Sequence, residues 1–424
     1  MTYLLQLAIA SAWNRRATLA LTVMSIALSV TMLLGVERAR VAAREGFEQS
    51  ISGTDLVVGA RTSPVQLMLY AVFRLGEATN NVRWSSFEAI AAKPGVAWAV
   101  PLSLGDSHRG FAVLGTTPAY FEHFRYGYKQ PLLLSAGRPF SGTVDGVFEA
   151  VIGSEVARSL GYGLGQRITL SHGTGGGLLP EHADKPFTVI GILAPTGTPV
   201  DRTVHISLQA IEAIHLDWQA GAPIPGLSIP PEYVRKFNLQ PKTITAMLVG
   251  LKSRSAVFKV QREVNEFEGE PLLAVLPGVA LDQLWRVIGV AEQTLLAVSA
   301  MIVVIGLAGM VAVVLASLNE RRRELSILRS VGAGPWQIAG LLVIESVVAT
   351  AVGSVVGLLL LAVIALLAGP WLQANYGLAF QAGMGSAEEV PLIGLVLLAG
   401  LVAGAIPAWR ASRLALADGL TPRL

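Results

Sequence analysis

Four apolar stretches divide the chain, with a long segment of mixed polarity between the first and the second. Residues 17–36 hold no charged side chain, and a helix of that length rises about 30 Å, the depth of a bilayer's hydrocarbon core. Residues 287–318 and 338–368 are longer runs, and Gly369-Pro370 is expected to end the second of these helices. The last run is the shortest; it crosses by extending to Trp409 and is assigned 390–409. Ahead of them all, residues 1–16 predict an amphipathic helix lying on the cytoplasmic surface. A signal peptide is the poorer reading, because Arg15 and Arg16 follow the first apolar patch and no small-residue cleavage pattern closes the next.

Residues 37–286 have a different character. Helical pattern continues through 37–51 as a stalk. Short alternating runs then predict strands at 55–59, 96–104, 110–115, 148–152, 205–208 and 244–251, with 168–171 and 187–193 forming a pair. Helices are predicted at 85–92, where Ser85 and Glu88 suit a capping box, at 154–160 before Gly161, and at 255–268. The proline-rich stretch 217–241 reads as a connector or flexible lobe that divides the domain in two. The expected fold is an α-helical membrane protein with four transmembrane helices, one plus three, and a large α+β domain inserted between the first and second.

Composition agrees. Apolar residues make up 52% and charged residues 14%, against about 25% charged in soluble domains. The absence of Cys excludes disulfides, thiolate metal sites and Cys nucleophiles. The net charge of +3 is small and its basic residues flank the apolar runs, which favours a lipid bilayer over nucleic acid as partner. Arg15, Arg16, Arg329, Arg410 and Arg413, with the arginines at 321–323, agree on one topology. Both termini and 319–337 are cytoplasmic, and 37–286 and 369–389 lie outside. Arg38, Arg40 and Arg44 run against it, although a long following domain translocates regardless of charge.

Residues 319–337, NERRRELSILRSVGAGPWQ, form the most charged stretch of the chain. Leu325 and Leu328 at i, i+3 and Ile327 and Val331 at i, i+4 predict a short helix. Its apolar stripe lies under a crown of Glu320, Arg321, Arg323, Glu324 and Arg329. Gly332 ends it, and Pro335 suits the first turn of the next helix. A basic membrane anchor accounts for the arginines but not for Glu320, Glu324, the stripe or the glycine stop.

This block resembles the coupling segment of the MacB/FtsX/LolCE-type ABC-transporter permeases, an ER-x-x-E-I-G-x-L-R-A-x-G-A-like run. Leu325, Ser326 and Ser330 depart mildly from it. The tail at 407–420, PAWRASRLALADGL, resembles that family's closing P-A-x-R-A-A-R-L…E-A-L pattern. The resemblance implies a mechanotransmission permease of the bacterial inner membrane with its large domain in the periplasm. ATP and Mg²⁺ would be bound by a separate LolD/MacB-like ATP-binding subunit docked on 320–331, and this chain would carry no cofactor. A second permease copy and periplasmic or outer-membrane components complete the implied assembly. No G-x-x-x-x-G-K-[ST] occurs in the sequence, and the chain reads as a transport subunit rather than an enzyme. Substrate export and lipoprotein release both fit. The alternative is an FtsX-like regulator of a cell-wall hydrolase, although proteins of that kind carry a smaller external domain.

Other signals are weaker. Gly353 and Gly357 form a G-x-x-x-G on the third span, suited to close helix packing. Glu345 is an ionisable residue at membrane depth. Arg410 and Arg413 read first as topology anchors. His172 and His182 flank a glycine-rich run at 173–177 and are weak metal candidates. With no i, i+4 pair among the histidines, surface or loop roles are preferred for them. Residues 105–110, GDSHRG, are one residue too long for a nucleophile elbow.

Overall fold

The computed structural model describes residues 16–173, 182–219, 222–224, 229–320, 322–330, 332–376 and 389–412. Helix α1 (Arg16–Gln49) opens them, and α2 (Trp84–Ala91) and α3 (Leu208–His215) lie among strands. Then follow α4 (Pro277–Glu320), α5 (Arg322–Ser330), α6 (Pro335–Tyr376) and α7 (Glu389–Ser412). Among the described residues, four helices, α1, α4, α6 and α7, are long and apolar enough to cross a membrane. The chain divides into two compact units. One comprises Met1–Ala42, Gly289–Leu372 and Phe380–Leu424; the other comprises Ala43–Ile288 and Gln373–Ala379.

The helical unit is held by small residues. A Cβ on Gly353 would stand 2.8 Å from Ile26 Cβ, and one on Gly357 2.7 Å from the Ala27 carbonyl oxygen. The G-x-x-x-G therefore packs α6 against α1 of the same chain. The Thr31 hydroxyl donates to the Gly357 carbonyl at 3.0 Å. Gly306 of α4 lies against Ser29, and Gly400 and Gly404 of α7 lie against Thr350 and Ser346 of α6. Lipid tails are as apolar as leucine, so such close approach and interhelical hydrogen bonding supply what the hydrophobic effect cannot. Arg38 is bidentate to Glu389 at 2.6 and 3.1 Å. Arg40 pairs with Glu37 at 2.6 Å and lies 3.9 Å from Glu292. Carboxylates from α4 and α7 thus match two of the arginines that ran against the charge rule.

Gly369-Pro370 does not end the third span. α6 continues through Pro370 to Tyr376, and α7 likewise contains Pro407. Proline removes one N–H, but resuming the helix satisfies the backbone groups beyond it, which an apolar surrounding would otherwise leave unpaired.

Among the described residues, the α+β unit is built on a sheet of eleven strands. They are β1 (Leu56–Ala60), β2 (Val96–His108), β3 (Phe111–Thr116), β4 (Leu134–Gly137), β5 (Glu149–Ile152), β6 (Arg167–Ile168), β7 (Ser171–His172), β8 (Phe187–Leu193), β9 (Thr203–Ser207), β10 (Ala246–Leu251) and β11 (Leu272–Val275). Hydrogen-bonded neighbours run β11-β1-β10-β2-β3-β9-β5-β8-β4, with β7 on β2 and β6 on β8. The long β2 joins the two halves: Val96–Leu102 pairs with β10, and Ser103–His108 with β3. Arg109 (φ 47°) and Gly110 (φ 84°) make the two-residue β2–β3 turn, with both central residues left-handed as a type I′ turn demands. Residues 105–110 are therefore a hairpin arm, not the strand–turn–helix of a hydrolase.

Three local expectations change. α2 begins at Trp84 without a side-chain cap; the Trp84 indole N–H donates to Glu88 at 2.8 Å, so Glu88 serves the helix flank instead of a capping box. Residues 168–171 are not one strand, because β6 pairs with β8 whereas β7 turns to β2. The described residues of the 217–241 stretch are anchored: Asp217 accepts from Lys185 at 2.7 Å, and Val234 and Leu239 are buried in a core with Ile214.

β9 is buried along its whole length and carries His205 into the interior. The His205 Nδ1–H donates to the Val151 carbonyl at 3.3 Å. Burial, aided by the nearby Arg74 charge, pushes its pKa down to about 3. The unfolded chain would bind this proton near the ordinary value of about 6.5, so stability is complete above that value and is lost as pH falls from 6.5 towards 3. At pH 5 the loss is about 2 kcal/mol. His205→Phe should flatten the pH dependence of thermal unfolding between pH 7.5 and 5. An unchanged pH dependence in that variant would assign the acid sensitivity elsewhere.

Candidate functional site

Arginine, glutamate and leucine are good helix formers, and α5 is a nine-residue helix built largely from them. Its stop is a Schellman motif. The Gly332 N–H reaches the Arg329 carbonyl and the Ala333 N–H the Leu328 carbonyl, both at 3.0 Å. Gly332 sits at φ 102°, a conformation that side chains with a Cβ rarely adopt. α6 then starts at Pro335, with the Gln337 side chain accepting the Gly334 N–H at 3.0 Å.

Leu328 packs into a cluster with Leu318 of α4, Ile338 and Leu342 of α6, and Ala408 and Ala411 of α7. α5 is thereby seated on the ends of three spans. Ser326 is buried, while Ile327 is 60% exposed and Trp336 87% exposed. The expected single stripe is therefore two faces, one inward through Leu328 and one outward through Ile327. Glu320 closes α4, and Arg323, Glu324, Leu325 and Arg329 lie in α5. Arg321, Val331, Arg15 and Arg413 fall outside the described residues, as does most of the glycine run at 173–177. Arg16 opens α1 and Arg410 lies in the last turn of α7. Glu345 lines a small pocket with Thr18, Thr22, Met310 and Ser346.

A second constellation lies in the α+β unit. Strand register sets His172 of β7 opposite Asp106 of β2. The last residue of α3, His215, and the buried His182 complete a group in which one ligand atom from each lies within 4.8 Å of the others. His172 Nδ1 is 3.2 Å from both Asp106 Oδ1 and His215 Nε2, and His215 Nε2 is 3.7 Å from Asp106 Oδ1. The His215 Nδ1–H donates to the Ile211 carbonyl at 2.7 Å, which in the neutral ring turns the Nε2 lone pair towards the group. The hydrogen bond to Asp106 raises the His172 pKa. Burial, then the neighbouring His215, pushes that of His182 down to about 4, so its ring is neutral at pH 7.

His172 and His182 are thus brought together, joined by two residues that sequence spacing did not single out. Surface roles do not hold for all the histidines: His108, His182 and His205 are 3%, 0% and 0% exposed. His108 is satisfied, donating to the Thr169 carbonyl at 2.6 Å and meeting the Tyr162 hydroxyl at 3.1 Å.

Residues 19–267 match the family model of a MacB-like periplasmic core domain, and residues 296–416 that of the FtsX-like permease C-terminal. The macrolide export ATP-binding/permease protein MacB of an Azoarcus species is 24% identical over 409 residues, covering 93% of this chain and 56% of that one. The protein of the same name from Nitrobacter winogradskyi is 36% identical over 122 residues, 28% of this chain and 17% of that one. The chain therefore spans little more than half the length of one of these curated relatives, and less of the other. The periplasmic region of MacB from Actinobacillus actinomycetemcomitans matches with a TM-score of 0.34 and 11% identity, over 55% of this chain and 94% of that one. With the first family model covering more than half of its residues and the second its last three candidate spans, the chain belongs to the MacB/FtsX-type family of ABC-transporter permeases, multi-pass membrane proteins with a large α+β domain between the first and second spans.

Proposed function

We propose that this chain is a permease subunit that converts ATP hydrolysis by a docked nucleotide-binding subunit into movement of its α+β domain. In this reading 319–337 faces the cytoplasm and the α+β domain faces the periplasm across a bacterial inner membrane. Two permease copies act together to move or extract a substrate on the outer side. The observation that carries the reading is α5 itself. It is a capped helix seated through Leu328 on the ends of α4, α6 and α7, while Ile327 and Trp336 stay exposed beside it. A push on such a helix reaches three spans at once, and α1 and α4 each contain residues of both compact units. The names of the curated relatives pair an ATP-binding part with a permease, which supports the same division of labour.

The test is capture of a LolD/MacB-like ATPase by the full-length chain in detergent, with ATP turnover as the readout. Ile327→Asp changes only the exposed face and should weaken capture by about tenfold or more, equivalent to about 1.4 kcal/mol, with the thermal midpoint unchanged. Leu328→Asp should abolish capture and also lower the midpoint, because it unseats the helix. Undiminished capture by both variants would remove α5 from the coupling path. Recovery of a soluble cell-wall hydrolase in place of transported cargo would favour the regulatory alternative.

A further inference from the structure

We infer that Asp106, His172, His182 and His215 form a binding site for one divalent transition-metal ion of the Zn²⁺ class inside the α+β unit. The inference is independent of the coupling reading. It starts from distances. Tetrahedral Zn²⁺ with bonds of about 2.0–2.1 Å sets its donor atoms about 3.3 Å apart. Asp106, His172 and His215 already present three donors with separations of 3.2, 3.2 and 3.7 Å, close to one face of such a tetrahedron. A ring nitrogen of His182 lies within 4.8 Å of the others and closes the fourth corner by a shift of at most about 1.5 Å.

Hydrogen bonding alone satisfies part of this group. His172 can donate to Asp106, and the Ile211 carbonyl takes the His215 Nδ1 proton. His182 is not satisfied. It is fully buried, and neither of its ring nitrogens has a hydrogen-bond partner among the described residues. Buried imidazoles ordinarily have one, so an unpartnered ring beside three convergent donors points to a missing ligand. The surrounding structure also holds the donors. Trp218 packs on His182 at 4.0 Å between ring centroids, and the His182 backbone N–H donates to the Leu170 carbonyl at 2.8 Å. The His215–Ile211 bond is the kind of outer contact that fixes the tautomer of a metal-bound imidazole.

Donor chemistry narrows the ion. Three imidazole nitrogens and one carboxylate oxygen suit borderline divalent ions, whereas Ca²⁺ and Mg²⁺ prefer all-oxygen shells and Cu⁺ prefers sulfur. The near-tetrahedral spacing favours Zn²⁺ over Cu²⁺, which prefers a tetragonal arrangement. An ion here would tie together β2, β7, residue 182 and the end of α3, segments spread from residue 106 to residue 215.

The full-length protein, stripped with chelator and purified in detergent, should bind one Zn²⁺ per chain in a titration against a competing indicator. Co²⁺ should give the intense visible absorption of a tetrahedral site. His172→Ala and His215→Ala, both at partly exposed side chains, should each weaken Zn²⁺ binding by about 100-fold or more, beyond the 10–100-fold typical of outer contacts. Asp106→Asn preserves shape and should also weaken binding, and it serves if an alanine variant fails to fold. His123→Ala, whose ring stacks on Trp98 at 4.9 Å and is no member of the group, should bind as the parent does. Zn²⁺ should raise the thermal midpoint of the parent and of His123→Ala but not of the ligand variants. Absence of saturable binding in the parent, or equal affinity in the parent and in a folded ligand variant, would overturn the site.

Discussion

Asp217→Ala is expected to destabilise the α+β unit by about 3 kcal/mol, the lower end of the usual cost of breaking a buried ion pair, because Lys185 keeps the half-exposed Asp184 as a partner. Lys185, whose side chain is fully buried, donates to both Asp217 oxygens at 2.7 Å. Its other carboxylate contact is Asp184, whose side chain is 40% exposed. Asp217 also accepts the Ile229 N–H at 3.1 Å, so the change frees that N–H as well as the lysine. Burial alone would raise the Asp217 pKa, but hydrogen bonds from Lys185 and Ile229, with the lysine's charge, outweigh it and leave the value below that of a free carboxyl. Its contribution is therefore complete above the ordinary carboxylate range and is lost as pH falls through the lower folded value. Thermal or urea unfolding of the full-length protein measures the effect. The double replacement Lys185→Met with Asp217→Leu should recover most of the loss, since apolar pairs of similar size replace buried ion pairs at little cost. If Asp217→Ala instead unfolds within about 1 kcal/mol of the parent, the pair is not buried in solution as it is here.

The second large effect lies in the helical unit. Leucine at both Gly353 and Gly357 must place side chains where Cβ atoms would already stand 2.8 Å from Ile26 and 2.7 Å from the Ala27 carbonyl. One of those contacts is backbone and cannot rotate away, so α1 and α6 must separate. Overpacking costs about 1–3 kcal/mol at each site, and the Thr31 to Gly357 hydrogen bond is lost with it. The expected result is a lower thermal midpoint in detergent together with failure of any coupled ATP turnover. Gly309→Leu is the control, because a Cβ there meets nothing within 4 Å. Equal tolerance of leucine at all three positions would show that the α1–α6 contact is not tight.

The spans and the α+β character of the large domain were legible because each rests on a local pattern: uninterrupted apolar length for the spans, alternation and turn residues for the strands. The error at Pro370 came from reading proline by its rule in water, where a helix can stop and hand its backbone groups to solvent. The helix α5 was legible in its charges and its glycine stop, but not in its orientation. Leu328 faces inward and Ile327 outward because of where α4, α6 and α7 end, which one helix's periodicity does not contain. The Asp106–histidine group was harder still. Asp106 meets His172 only through the register of β7 on β2, and His215 arrives on the end of a helix packed from elsewhere. The useful signal was weak: an Asp at 106 and histidines at 172, 182 and 215, all within one domain that has no Cys to compete for a metal.

The Arg38–Glu389 bond constrains how the protein is made. Its two residues are 351 positions apart, so the bond cannot form until synthesis has reached the start of the last span. At about 5–20 residues per second, the ribosome needs roughly 20–70 s to get from one to the other. During that interval the first span and the large domain have been made, while the bundle lacks its closing helix. A chain truncated before Glu389 should therefore be a preferred substrate of membrane quality-control proteases, and completion of α7 is the step that ends that exposure.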